Sequence, residues 1–100
     1  MGEHMEQQFD AVEAHTVAVL LDYEGGEYAE TLGAQADYDF ALNGAGNLKY
    51  VMFSVYGHMV GGGIMCLADC VTIHDARLVM VALAKFWDVP HGDHMFNPRG

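Results

Sequence analysis

Positive charge is the scarcest property of this chain. Four Lys and Arg stand against fourteen Asp and Glu, a formal net charge of −10, and none of the four precedes Lys49. Binding to a phosphate backbone draws its affinity from Lys and Arg, so direct nucleic-acid binding is excluded as an expectation. Cysteine is nearly absent as well. Cys66 and Cys70 alone cannot build a disulfide framework. No apolar stretch follows a basic n-region and ends at a small-residue cleavage site, so a reducing, cytoplasmic location is expected. Linkers, repeats and low-complexity blocks are missing, which leaves residues 1–100 as a single domain. The opening MGEHM reads as an expression leftover over 1–4 ahead of a start at Met5.

Other absences remove further functions. The glycines at 44, 46, 57 and 61–63 lack the Lys-Ser/Thr of a phosphate loop and the spacing of a dinucleotide fingerprint. Ser54 lacks the neighbours of a nucleophile elbow. The run Tyr50–Ala68 carries no charged residue over 19 positions, close to the span of a bilayer. Ser54, His58 and the glycines at 57, 61, 62 and 63 suit a spanning helix poorly, so no membrane is expected.

What the chain does have is apolar surface, 52% hydrophobic residues against 18% charged, which is the reverse of a disordered composition. It also has a charge that sits in one half. Glu3, Glu6, Asp10, Glu13, Asp22, Glu24, Glu27, Glu30, Asp37 and Asp39 all precede Lys49, whereas the four later carboxylates are matched by Lys49, Arg77, Lys85 and Arg99. Such asymmetry points to an interaction surface.

The expected fold is α+β. Met5, Phe9, Val12, Thr16, Val19, Leu20 and Tyr23 step by three and four, predicting an acidic helix over 4–24 that stops at Gly25-Gly26. A rival reading takes the β-rich TVAVLLDY as a strand turning at residues 24–27. Tyr28, Leu32, Ala36 and Phe40 predict a second acidic helix over 27–42. Alternation in 48–60, Gly61-Gly62-Gly63 and a return over 64–73 predict a central hydrophobic β-hairpin whose first strand is buried on both faces. Helical spacing also fits these stretches, so an all-α bundle is the alternative. Asp75 as N-cap, apolar groups at 78, 79, 82, 83, 86 and 87, and Pro90 predict a C-terminal helix over 75–89. Residues 90–100 read as a loop-like tail.

Two sets of side chains are candidates for chemistry. Cys66, Cys70 and His74 follow at steps of four, which keeps them on one face of a helix or a regular strand. On a strand, residues four apart are separated by about 13 Å, too far to share an ion. His91 and His94 offer further ligands in a fold-back of the tail. The bland reading makes the cysteines small buried hydrophobes, and neither a metal nor a cofactor is expected. Asp10, Glu13, Asp22, Glu24, Glu27, Glu30, Asp37 and Asp39 form the second set. A negative field of this kind speeds encounter with a basic surface, and carboxylates stand in for phosphates against Arg and Lys. The expected function is that of a small acidic binding protein or inhibitor, a charge mimic of nucleic acid that engages a Lys/Arg-rich protein. Its apolar surplus suggests a homodimer. A small metal- or ligand-binding enzyme built on the Cys/His set is the alternative.

Overall fold

A computed structural model describes residues 8–44 and 47–99. Glu3, Glu6 and the leader expected at 1–4 lie outside the described residues. The described chain runs β1 (Phe9–Leu21), β2 (Glu27–Leu32), α1 (Gln35–Gly44), β3 (Leu48–Met59), β4 (Ile64–Cys70), α2 (Ile73–Trp87) and β5 (His91–His94). It is mostly a five-stranded sheet, antiparallel in the order β2-β1-β3-β4, with β5 added in parallel beside β1.

This corrects the expected fold: the first acidic helix is the strand β1, and the second is half strand and half helix. The steps 9, 12, 16, 19, 20 and 23 fit a helix, but burial alternates from Val12 to Thr16 and is unbroken from Thr16 to Leu20, where β1 runs between β2 and β3. Val12, Ala14, Thr16, Ala18 and Leu20 are all nearly inaccessible, while Glu13 and His15 between them are half-exposed. A strand with a covered face gives that alternation. The rival strand reading of TVAVLLDY is the one the fold follows. Gly25, at φ 84°, serves a hairpin loop rather than a helix cap. Asp22 closes that loop, its Oδ1 accepting from the N–H of Glu24 at 2.9 Å and of Gly26 at 2.7 Å. The all-α alternative falls on the same grounds.

The hairpin β3–β4 and helix α2 lie close to the expected spans. Tyr50–Ala68 therefore folds as two strands and a turn, and no helix among the described residues is long and apolar enough to cross a membrane. The phase of α2 differs from expectation. Ala76, Met80 and Ala84 are its buried residues, whereas Leu78 and Phe86 face outward. The N-cap is Thr72, whose Oγ1 accepts from Asp75 N–H at 3.0 Å, not Asp75 itself.

Both helices lie on one side of the sheet. α2 packs Ala76, Met80 and Ala84 on Val12, Ala14, Phe53 and Val55. α1 contributes Ala41 and Tyr38 to a second cluster with Ala18, Leu20, Leu32, Leu48 and Phe96. Between the two, the Thr16 hydroxyl donates to the Phe96 carbonyl at 2.7 Å and accepts from the Phe96 N–H at 2.9 Å. The expected loose tail is thus a strand followed by an anchored segment. The opposite face, carrying Glu13, His15, Val17, Met52, Ser54, Tyr56 and His58, has no helix over it among the described residues, yet Val17 and Ser54 on it are inaccessible, so the middle of β3 is buried on both faces.

Candidate functional site

The carboxylates expected to meet a partner divide into two groups. Asp22, Glu24, Glu27, Glu30, Asp37 and Asp39 all fall in the hairpin–helix unit formed by the β1–β2 loop, β2 and α1. Asp10 and Glu13 sit at the far end of β1 and do not join them. Within the first group several charges have local tasks. Asp22 closes the loop. Asp37 Oδ2 accepts from Gly33 and Ala34 N–H at 2.8 and 3.1 Å, satisfying donors ahead of α1. Asp39 accepts from Gln35, and Glu27 pairs with Lys49. Glu24 and Glu30 have no ion-pair partner among the described residues.

Sequence reasoning missed the apolar component of this region. A groove of about 260 Å³ runs between β2 and α1, lined by Leu20, Tyr28, Leu32, Phe40 and Ala41 together with Glu30, Thr31 and Asp37. Phe40 is 78% exposed, an unusual state for an aromatic side chain beside an apolar groove. β2 is the end strand of the sheet, so alternate backbone N–H and C=O groups along it face outward. Tyr28, Leu32 and Phe40, three of the residues whose steps of four predict a single helix, instead line this groove from β2 and α1, while Ala36 is exposed outside it.

The Cys/His set is dispersed rather than gathered. The register of β4 on β3 shifts between Val55 and Tyr56, and this bulge breaks the parity that even spacing implies. Cys66 falls on the open face, where its thiol lies 3.3 Å from Asp69 Oδ1. Cys70 falls on the helix-covered face, packed against the α2 core. His74 stands exposed in the first turn of α2. Cys66 is exposed, and partial desolvation of its thiol, then the nearby Asp69 carboxylate, pushes it above its ordinary range. Burial, with Asp75 and Asp69, does the same to Cys70. Neither is an activated nucleophile. Asp69 also accepts from Ser54 Oγ at 2.6 Å.

Of the five candidate ligands only His94 enters a cluster of ligating groups, and its partners were not anticipated. The parallel register sets His94 beside His15 and Gly92 beside Glu13. The His15 and His94 rings stack at 4.9 Å, 14° from parallel. His15 Nε2 lies 2.8 Å from Glu13 Oε1, and His58 Nε2 lies 2.8 Å from Glu13 Oε2. The latter contact is not aligned for a hydrogen bond, so the His58 nitrogen is enclosed without a hydrogen-bond partner. The His15 hydrogen bond lowers the Glu13 pKa, helped by the charge interaction with His58 and opposed by burial. His91 points to the other face of β5, where its neighbour Asp93 bonds Arg77 Nε at 2.7 Å.

No family model, curated protein or solved structure gives a significant match to this chain.

Proposed function

We propose that this protein is a non-enzymatic binding module whose acidic edge, formed by β2 and α1, takes an extended basic segment of a partner protein. The observation that carries the reading is the coincidence of three features on one unit. These are six carboxylates with Lys49 the one basic side chain paired among them in the described residues, a groove lined by buried Leu20 and Leu32 and exposed Phe40, and an open strand edge in β2. Each supplies a different part of recognition. Main-chain bonding to an edge gives affinity and alternate pockets give specificity. The carboxylates select Lys and Arg and accelerate encounter. An inhibitor that occupies a phosphate-binding surface works by the same complementarity, with carboxylates where phosphates would sit.

The test is calorimetric titration with a synthetic extended peptide alternating Arg or Lys with apolar residues. Binding is expected at low salt. It should weaken several-fold at about 0.15 M ionic strength, where the screening length falls to about 8 Å. Glu30→Lys and Glu24→Lys should weaken it further, while Asp10→Lys should not. Affinity indifferent to both salt and these reversals defeats the electrostatic account. Asp37 is unsuitable for reversal because it bonds the backbone ahead of α1.

A homodimer is proposed on a separate observation, the exposure of Leu78, Val81 and Phe86 along α2. Aromatic and aliphatic groups of this kind are common at interface centres. Sedimentation equilibrium of the wild type against Leu78→Glu decides it: a wild-type monomer, or a dimer that survives the substitution, removes the proposal.

A further inference from the structure

The cluster on the open sheet face belongs to neither the acidic groove nor the cores. We propose that Glu13, His15 and His94 form a binding site for one divalent first-row transition-metal ion, with His58 positioning the carboxylate.

The strands dictate the placement. Glu13 and His15 are two apart on β1 and so share its open face. His94 reaches that face from β5, directly opposite His15. His58 comes from β3 on the other side, where its residue pairs with Ala11, diagonal to Glu13. Three strands thus converge on one carboxylate. One ligating atom each from Glu13, His15 and His94 lies within 4.8 Å of the other two. Donor atoms at about 2.0–2.2 Å from a common ion are at most about 4.4 Å apart, so these three must draw in slightly on binding. The stacked His15 and His94 rings must turn toward each other to meet one ion. Both side chains reach solvent; the His94 ring makes no hydrogen bond among the described residues, and His15 is held by one hydrogen bond to Glu13 and an edge contact with Tyr56.

Two further features single the cluster out. Three imidazoles crowd one carboxylate: His15 bonds one oxygen at 2.8 Å, His58 Nε2 faces the other at 2.8 Å without an aligned hydrogen bond, and His94 stacks on His15. A cation held by Glu13 would organise this excess of donor atoms. The second feature is Gly92. A Cβ built there would lie 2.9 Å from His94 Nε2, so the missing side chain is the space into which His94 folds back toward Glu13. A glycine opposite the carboxylate is what lets the third ligand reach it.

The donor set fixes the class of ion. Two imidazoles and one carboxylate are borderline ligands suited to zinc, copper, nickel, cobalt or ferrous iron, whereas calcium and magnesium prefer all-oxygen sets. Three protein ligands leave coordination positions open, and these face solvent because the side chains of His15 and Glu13 remain 23% and 29% exposed. The site is independent of the acidic groove, so its failure leaves that proposal untouched.

The experiment uses the full chain without a polyhistidine tag, titrated with zinc chloride by calorimetry and with cobalt(II) by absorption. The expected result is one ion per chain, with cobalt bands of nitrogen and oxygen ligation. His94→Gln and His15→Gln should each weaken zinc binding at least about 100-fold. His58→Ala and Gly92→Ala should weaken it about 10- to 100-fold, the range for outer positioning groups. Circular dichroism checks each fold. Should His15→Gln unfold, His94→Gln still decides, because that side chain is exposed near the end of a short strand. Zinc binding that survives His94→Gln, an absence of stoichiometric binding, or a thiolate-to-cobalt charge-transfer band from Cys66 or Cys70 overturns the assignment.

Discussion

Replacing Gly57 by Ala tests how β1 is seated. Gly57 lies in β3 on the face covered by α2, and a Cβ there would stand 2.5 Å from Phe9 Cδ1 and 2.7 Å from Cε1. Carbon atoms rest at about 3.5–4.0 Å, so the ring must move by about 1 Å. It has little room to do so. Phe9 is 2% exposed, and Trp87 blocks the other side at a centroid distance of 4.7 Å. Overpacking of this kind costs about 1–3 kcal/mol. Gly57 does not have a positive φ, so Ala recovers about 0.4–1 kcal/mol by restricting the unfolded chain. The net expectation is a loss of about 1–2 kcal/mol, read as a lower urea midpoint with an unchanged slope. The decisive control is Gly57→Ala in a Phe9→Val background. Without the ring atoms the same methyl should be neutral or stabilising. If Gly57→Ala is as stable as wild type, or its cost persists after the ring is gone, the packing argument is wrong.

Three other outcomes follow from local geometry. Thr72→Ala should cost about 1 kcal/mol by removing the acceptor for Asp75 N–H, measured by thermal or urea unfolding. For Asp93, burial raises the pKa but the Arg77 and Met95 bonds outweigh it, so its folded value is lowered. The stabilisation is therefore present above the unfolded pKa of about 3.9 and lost as pH falls through the lower folded value. Asp93→Asn should remove up to about 1 kcal/mol near neutral pH and flatten the acid limb of the stability curve; an unchanged acid limb refutes the pairing. Cys66 and Cys70 should react with a disulfide reagent near neutral pH more slowly than free cysteine, accelerating as pH rises toward their elevated pKa values. Rapid labelling at pH 7 would contradict the burial and carboxylate effects.

The parts of the fold legible in the sequence are those whose signals are local. Alternation at Val51, Phe53 and Val55 with three following glycines marks β3–β4, and the spacing before Pro90 marks α2. The N-terminal half misleads because its signals serve two structures. Phe9, Val12, Thr16, Val19 and Leu20 satisfy a helical step and a strand alike, and Gly25-Gly26 suits a helix end or a hairpin loop. The choice is made by pairing with β2 and β3, which is not local. The same holds for the sites. The acidic groove was half legible, since its charges are contiguous while its apolar floor needs α1 folded onto β2. The His15–His94 contact depends on a parallel strand brought back by α2, and no spacing rule reports it. Cys66 and Cys70 show the converse, a local rule undone by one bulge.

The most direct measurement of the central proposal is a residue-resolved NMR titration of the labelled protein with the basic extended peptide. Amide shifts should concentrate in Glu27–Leu32 and Gln35–Gly44, and should fade with added salt. Shifts centred on the outer face of α2 or on β4, or shifts indifferent to salt, would contradict it.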